Sequence, residues 1–267
     1  MFLRRILYIA SEISPFLKNS LVAECARKLP EAMQNKQLDV RLMVPKFGTI
    51  NDRMNRLHEV LRLSGGVIQI HNVGHVISVK VSTIPNTRLQ VYFIDNLDLF
   101  ANRRAIFEDA AGKFFIDNDL RMAFFCASVI QTLKKLEWEP DIVHCHDWIT
   151  SFVPILWKQS RETHALFRKA KLISTIYNNT FSCKFPLLSK IAIELGIEPE
   201  DAAVLIPGSF RSLIQLIMSH SDLVVSGEKL VAVAFEDLFN TKELYLVQDD
   251  DQYSEAYLAL YRSLISG

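Results

Sequence analysis

A chain of 267 residues with 49% hydrophobic and 22% charged side chains has the balance of an ordinary folded globule, which excludes intrinsic disorder and collagen-like repeats. Thirty Lys and Arg offset thirty Asp and Glu, so no whole-molecule field draws the protein to nucleic acid or an anionic membrane, and any anion site must be local. The four cysteines, Cys25, Cys126, Cys145 and Cys183, include no C-x-x-C pair, which argues against a zinc ribbon or a small disulfide scaffold.

The chain opens MFLRRILYIASE, whose apolar run is too short for a signal peptide, so ILYIA at 6–10 reads as a first strand. Further strands are predicted at DVRLMVP (39–45), LQVYFID (89–95), DIVHCH (141–146), KLISTI (171–176) and DLVVS (222–226). Their near-continuous hydrophobicity implies burial on both faces, as in a parallel sheet covered by helices. Helices are predicted at 21–35, 118–136, 150–159, 187–195, 210–220, 228–239 and 252–266, with Pro30 ending or kinking the first. The longest apolar run, 122–130, falls short of the roughly 20 residues of a membrane span, and a cytoplasmic protein is expected. Residues 58–81 break the rhythm: VLRLSGG, VIQIH and HVISVKV read as strands with no room for crossover helices, predicting a β-hairpin or meander insertion. In the tail, Tyr253, Tyr257, Leu260, Tyr261 and Leu264 recur at helical spacing, which favours a helix docked on its own sheet over an oligomer contact. The alternation predicts one α/β domain over 1–267, a doubly wound, Rossmann-like parallel sheet with a β insertion at about 58–81 and a helical tail at about 252–266.

Ligands of such sheets sit beyond the carboxyl ends of the strands. After the first strand, the loop SEISPFLKNS carries Lys18 ahead of a helix N-terminus, where a lysine and free N–H groups can hold a phosphate. The loop has no glycine to let backbone approach an anion, so a solvated lysine is the competing reading. HCHDW at 144–148 puts His144 and His146 on one side of a strand, Cys145 on the other and Asp147 at its end, where Asp147 or Thr150 could cap the next helix. No further ligand cluster accompanies the histidines, which favours hydrogen-bonded histidines in a site floor over a metal site. In IYNNTFS at 176–182, Tyr177, Asn178 and Asn179 suit sugar hydroxyls, and paired asparagines equally suit a turn. There is no G-x-S-x-G elbow.

Taken in order, ILYIASEISPFLK, the LP at 29–30, DVRLMVPKFG, VYFID, the DN at 117–118 followed by RMAFF, and DIVHCHDW resemble the N-terminal catalytic domain of bacterial glycogen synthases and plant starch synthases, over about residues 5–230. The resemblance implies half of a two-domain, GT-B-like enzyme that moves glucose from ADP-glucose, sometimes UDP-glucose, to the non-reducing end of an α-1,4-glucan. It places Lys18, Asp147, Trp148 and Asn178 at the nucleotide-sugar and glucan site, with His144, His146, Asp117 and Asn118 as structural residues beside it, and calls for neither metal nor cofactor. The sequence also departs from the family. Its K-x-G-G-L motif keeps the lysine as Lys18 but has Ser20 and Leu21 for the glycines, Glu24 follows where the family has aspartate, and Ile149 follows Trp148 where a histidine is common. The family's T-[VI]-H-N is TIYN here, so Tyr177 stands where a histidine meets the reacting sugar. In the family a second domain supplies most of the nucleotide site and the cations that stabilise the departing diphosphate. The expectation is an acceptor-side half that is inactive alone and is completed by a homodimer or a separate donor-domain protein. The alternative is a non-catalytic glucan- or nucleotide-sugar-binding or regulatory subunit.

Overall fold

The computed structural model describes residues 3–17, 20–228, 231, 234–239, 244–246 and 253–266. In chain order it has β1 (Arg5–Ala10), α1 (Leu21–Asn35), β2 (Asp39–Pro45), β3 (His58–Glu59), β4 (Val67–Ile70), β5 (Val73–Val76), β6 (Ser78–Thr83), β7 (Gln90–Asp95) and α2 (Asn118–Leu136). There follow β8 (Ile142–His146), α3 (Val153–Thr163), β9 (Lys171–Ile176), α4 (Leu188–Glu194), α5 (Pro199–Ala202), α6 (Phe210–His220), β10 (Leu223–Ser226), β11 (Leu244–Leu246) and a last helix, Tyr253–Ser266.

Among the described residues the main sheet has nine strands in the order β11-β10-β9-β8-β1-β2-β7-β6-β3. From β11 to β7 every pairing is parallel. The central strands β1 and β8 are buried almost throughout, as their unbroken apolar sequences require in a sheet covered on both faces. β1 leads to β2 on one side, while β7 crosses through α2 to β8 on the other. The strand order therefore reverses between β1 and β8, and their carboxyl ends flank the crevice where doubly wound folds take ligands. Register sets the site as well: Tyr8 lies beside His144, Ala10 beside His146, and His146 beside Thr175.

Several local expectations are corrected. Of ending or kinking α1, the first does not occur at Pro30, since the helix runs on to Asn35; Pro30 lies on the buried face with Ala26, Leu29 and Met33, and that packing offsets its missing N–H. VLRLSGG is not a strand: Leu63 N–H and Ser64 N–H bond back to the Val60 carbonyl in a tight turn, and Leu61 is 80% exposed. The insertion also divides in two. β4 and β5 form a separate hairpin turning at His71 and Asn72, both with positive φ, whereas β3 and β6 extend the main sheet antiparallel to β7. The helix expected over 150–159 begins as a 3-10 turn at Trp148–Thr150 and becomes α-helical only at Val153. Of the helix expected over 228–239, the segment Glu236–Phe239 is helical, and residues 229, 230, 232 and 233 lie outside the described residues. No helix among the described residues is long and apolar enough to cross a membrane.

Candidate functional site

Asp147 closes β8 with φ 76° and ψ 161°, a backbone conformation costly for any side chain. Its carboxylate is what holds that turn. Oδ1 accepts the Trp148 N–H at 2.8 Å, Oδ2 accepts the Ser11 hydroxyl at 2.7 Å, and the Asn179 side chain donates as well. Burial nonetheless outweighs these donors and raises the carboxyl above its usual pKa. Across the crevice, Glu12 is 8% exposed and accepts the Ser20 hydroxyl at 3.1 Å. Burial, reinforced by the Asp147 charge, lifts its pKa to about 7. Ser20 in turn caps α1, its Oγ accepting the Ala23 N–H at 3.0 Å.

Beneath this rim lies a closed polar floor. His144 Nδ1 is 2.7 Å from the Tyr261 hydroxyl and its Nε2 2.7 Å from Thr175 Oγ1. The Tyr261 hydroxyl also meets that of Tyr8 at 3.1 Å, and Thr175 Oγ1 meets the Tyr257 hydroxyl at 3.5 Å. His146 Nδ1 lies 2.8 Å from the Tyr177 hydroxyl, and its Nε2 has no hydrogen-bond partner among the described residues. Burial holds both rings neutral, dropping His146 to about 3 and His144 well below the ordinary value. The last helix thus lies on the sheet through tyrosines as well as Leu258 and Leu260.

The residues named from sequence fall into distinct places. Asp147 is on the rim; Asn178 is exposed beside it, at the end of β9. Tyr177 is 1% exposed, so its ring is not available for stacking on a sugar, and it packs so closely on Gly227 that an added Cβ there would lie 2.8 Å from the ring. Trp148 is enclosed by Phe107, Phe114 and Phe181 at centroid distances of 4.8, 5.7 and 5.3 Å, and presents no open face. Asp117 and Asn118 pin the segment before α2. Asp117 forms a bidentate pair with Arg103, while Asn118 Nδ2 donates to the Phe107 carbonyl at 2.9 Å and its Oδ1 accepts from Arg121 at 2.6 Å. Lys18 lies outside the described residues.

Sequence reasoning missed Glu12, Ser11, Thr175 and Arg121. Glu12 had a usable signal, since it lies two residues beyond the end of β1, where ligand-facing residues of a doubly wound sheet are expected. Arg121 had none: it is fully buried and bonds the Leu99 and Ile106 carbonyls, with burial lowering its pKa to about 10. Among the described residues no group of three or more His, Cys, Asp or Glu could hold a metal ion.

Superposition on the catalytic domain of starch synthase IV from Arabidopsis thaliana, solved with ADP and acarbose, gives a TM-score of 0.69 over 92% of this chain and 51% of that one, at 18% identity. The fold, with its crevice at the switch point, is that of one doubly wound half of a GT-B-type architecture. The starch synthase catalytic domain family matches residues 5–225, and the chain belongs to that family. Among its relatives, the glycogen synthase of Chlorobium limicola is 33% identical over 85% of this chain and 46% of its own length. That of Chlorobaculum tepidum is 35% identical over 83% and 45%, and that of Chlorobium luteolum 38% over 65% and 36%. The chain therefore spans less than half the length of these glycogen synthases.

Proposed function

We propose that this domain recognises an α-1,4-glucan at the carboxyl ends of β1, β8 and β9, as the acceptor side of a glycogen/starch synthase-type glucosyltransferase, and does not by itself transfer glucose from ADP-glucose. The observation that carries this reading is the inward turn of Tyr177. At the position where the family resemblance places a histidine against the reacting sugar, this chain has a buried phenol bonded to His146 Nδ1 at 2.8 Å, with its pKa driven well above the ordinary value. Such a group neither reaches a ligand in the crevice nor exchanges a proton with one near neutral pH. The rim still offers Asp147 as acceptor and Asn178 and Asn179 as both donors and acceptors, a set suited to sugar hydroxyls.

Transfer also requires preorganised cations or dipoles around the departing diphosphate, each such donor being worth about 100-fold or more in rate. In this reading they come from outside this domain. Calorimetric titration with maltoheptaose and ADP-glucose, alongside a radiolabelled transfer assay, tests the proposal. The expected result is measurable maltoheptaose binding and no glucosyl transfer by the chain alone. Robust turnover by the purified chain would overturn it. A Ser20→Gly, Leu21→Gly, Tyr177→His variant is expected to gain affinity for ADP-glucose without full activity.

A further inference from the structure

The crevice lies at the carboxyl ends of the strands, and a second cavity lies at the opposite end of the sheet. Between the last turns of α1, the amino ends of β2 and β7 and the turn that precedes β7 is a groove of about 740 Å³, within the range of small-molecule sites. Several of its polar side chains are fixed in place. The Gln34 side-chain oxygen accepts the Arg88 N–H at 3.1 Å and that of Gln90 accepts the Tyr92 hydroxyl at 3.3 Å, which leaves the NH2 group of each amide as the uncommitted end. Arg41, beside Gln90 in register, is half-buried with its guanidinium 4.7 Å from the centre of the Trp138 ring. The two acids lining the groove among the described residues are engaged elsewhere. Asp39 accepts the Trp138 indole N–H at 2.9 Å and pairs with Arg5 at 3.7 Å, and Glu31 pairs with Arg27 at 3.4 Å. Carbonyls at the end of α1 are used as well, Ala32, Met33 and Gln34 accepting the N–H groups of Lys36, Leu38 and Gln37. Arg41 and Arg88 have no ion-pair partner among the described residues, so what the groove has left over is N–H donors and positive charge. Across the turn, an adjoining groove that shares Asn86, Thr87 and Gln90 adds Arg56 and, among the described residues, no acid.

We infer that this groove binds a small phosphate ester, a phosphorylated sugar, with the Arg41 and Arg88 guanidinium groups on the phosphate and the Gln34 and Gln90 amides donating to the remaining oxygens. Planar guanidinium forks match phosphate oxygens, and charge-assisted bonds of this kind are among the strong ones. An uncharged sugar needs acceptors for its hydroxyl protons as well as donors, and here two carboxylates and two amide oxygens are already engaged. Inorganic phosphate alone would fill only a small part of the volume. Because the chain as a whole carries no net charge, the attraction is local to these guanidinium groups. The inference concerns a different end of the sheet from the crevice and does not depend on the glucan reading.

The test is calorimetric titration of the full chain at low ionic strength with glucose 6-phosphate, inorganic phosphate and glucose, on wild type, Arg41→Ala, Arg88→Ala and, as a crevice control, Asn178→Ala. Glucose 6-phosphate is expected to bind wild type more tightly than either of the other two, and to bind Arg41→Ala and Arg88→Ala at least about tenfold more weakly, while Asn178→Ala stays like wild type. Added salt should weaken the interaction, because the guanidinium of the exposed Arg88 is screened. Circular dichroism identifies a variant that fails to fold, and Arg88→Ala carries the test if Arg41→Ala does. No binding of glucose 6-phosphate to wild type, or affinity within about twofold of wild type in the folded arginine variants, overturns the proposal. So does inorganic phosphate or glucose binding as tightly as the ester, or a loss in Asn178→Ala as large as in Arg88→Ala, which would put the ligand in the crevice.

Discussion

The floor of the crevice and the two carboxylates of its rim are both buried, and they treat polar groups in opposite ways. On the floor, imidazoles and hydroxyls meet one another in a circuit from Tyr8 through Tyr261, His144 and Thr175 to Tyr257. Both ring nitrogens of His144 are used, burial keeps the ring neutral, and the circuit has little left for a ligand. On the rim, Asp147 and Glu12 are acceptors with more lone pairs than donors to fill them, each raised in pKa by burial. A closed network of neutral groups acts as structure, whereas buried carboxylates with spare acceptor capacity act as a site. The side chain types alone would not have separated the two regions.

That contrast can be broken experimentally. Asp147→Ala removes the acceptor of the Trp148 N–H and of the Ser11 and Asn179 side chains while keeping the strained backbone, and is expected to cost about 3 kcal/mol in urea unfolding. A loss under 1 kcal/mol would mean the carboxylate does not hold the turn. The pH dependence should divide the two regions next. Glu12 rises from 4.5 to about 7 on folding, so its contribution is full below the unfolded value and is lost as pH climbs through about 7. Glu12→Gln should then exceed wild type by up to roughly 3 kcal/mol near pH 8 and match it near pH 4.

His146 has the opposite sign. It falls from 6.5 to about 3, so the unfolded chain takes the proton first and stability drains away as pH falls through that window. Denaturant melts of wild type and Glu12→Gln from acid to alkaline pH check both slopes, and parallel curves for the two proteins would refute the assignment of the alkaline loss to Glu12. Tyr261→Phe opens the floor circuit at both His144 and Tyr8 and should cost about 1–2 kcal/mol. A neutral effect in chemical unfolding would show that the last helix is held by apolar packing alone. Smallest is Ser20→Gly, at about 0.3 kcal/mol in the same measurement, because glycine remains an acceptable N-cap.

Much of this was legible from the chain. Apolar runs without alternation marked β2 and β9 to the residue, and helical periodicity marked α1, α2 and α6 likewise, since both patterns follow from repeats of a few residues. The order of HCHDW put both histidines on one side and Asp147 at the strand end by strand geometry alone. The insertion was harder to read: Val60 to Gly66 is apolar enough for a strand, but only its ends bond to Val79 and Ile77, while the Leu63 and Ser64 N–H groups turn back to the Val60 carbonyl. Pro30 likewise depended on a buried face that no local rule supplies.

What the sequence determined by itself was the alternation of elements, the doubly wound class and the loops in which a site must lie, because these are consequences of local pattern and backbone geometry. What only the tertiary structure decided was which side chains face one another. His144 finds Tyr261 across 117 residues, Tyr177 turns inward onto His146, and Glu12 faces the Asp147 charge across the crevice. Those meetings depend on strand order, register and the docking of the last helix, and it is burial at those meetings that makes the histidines neutral and the carboxylates proton-hungry.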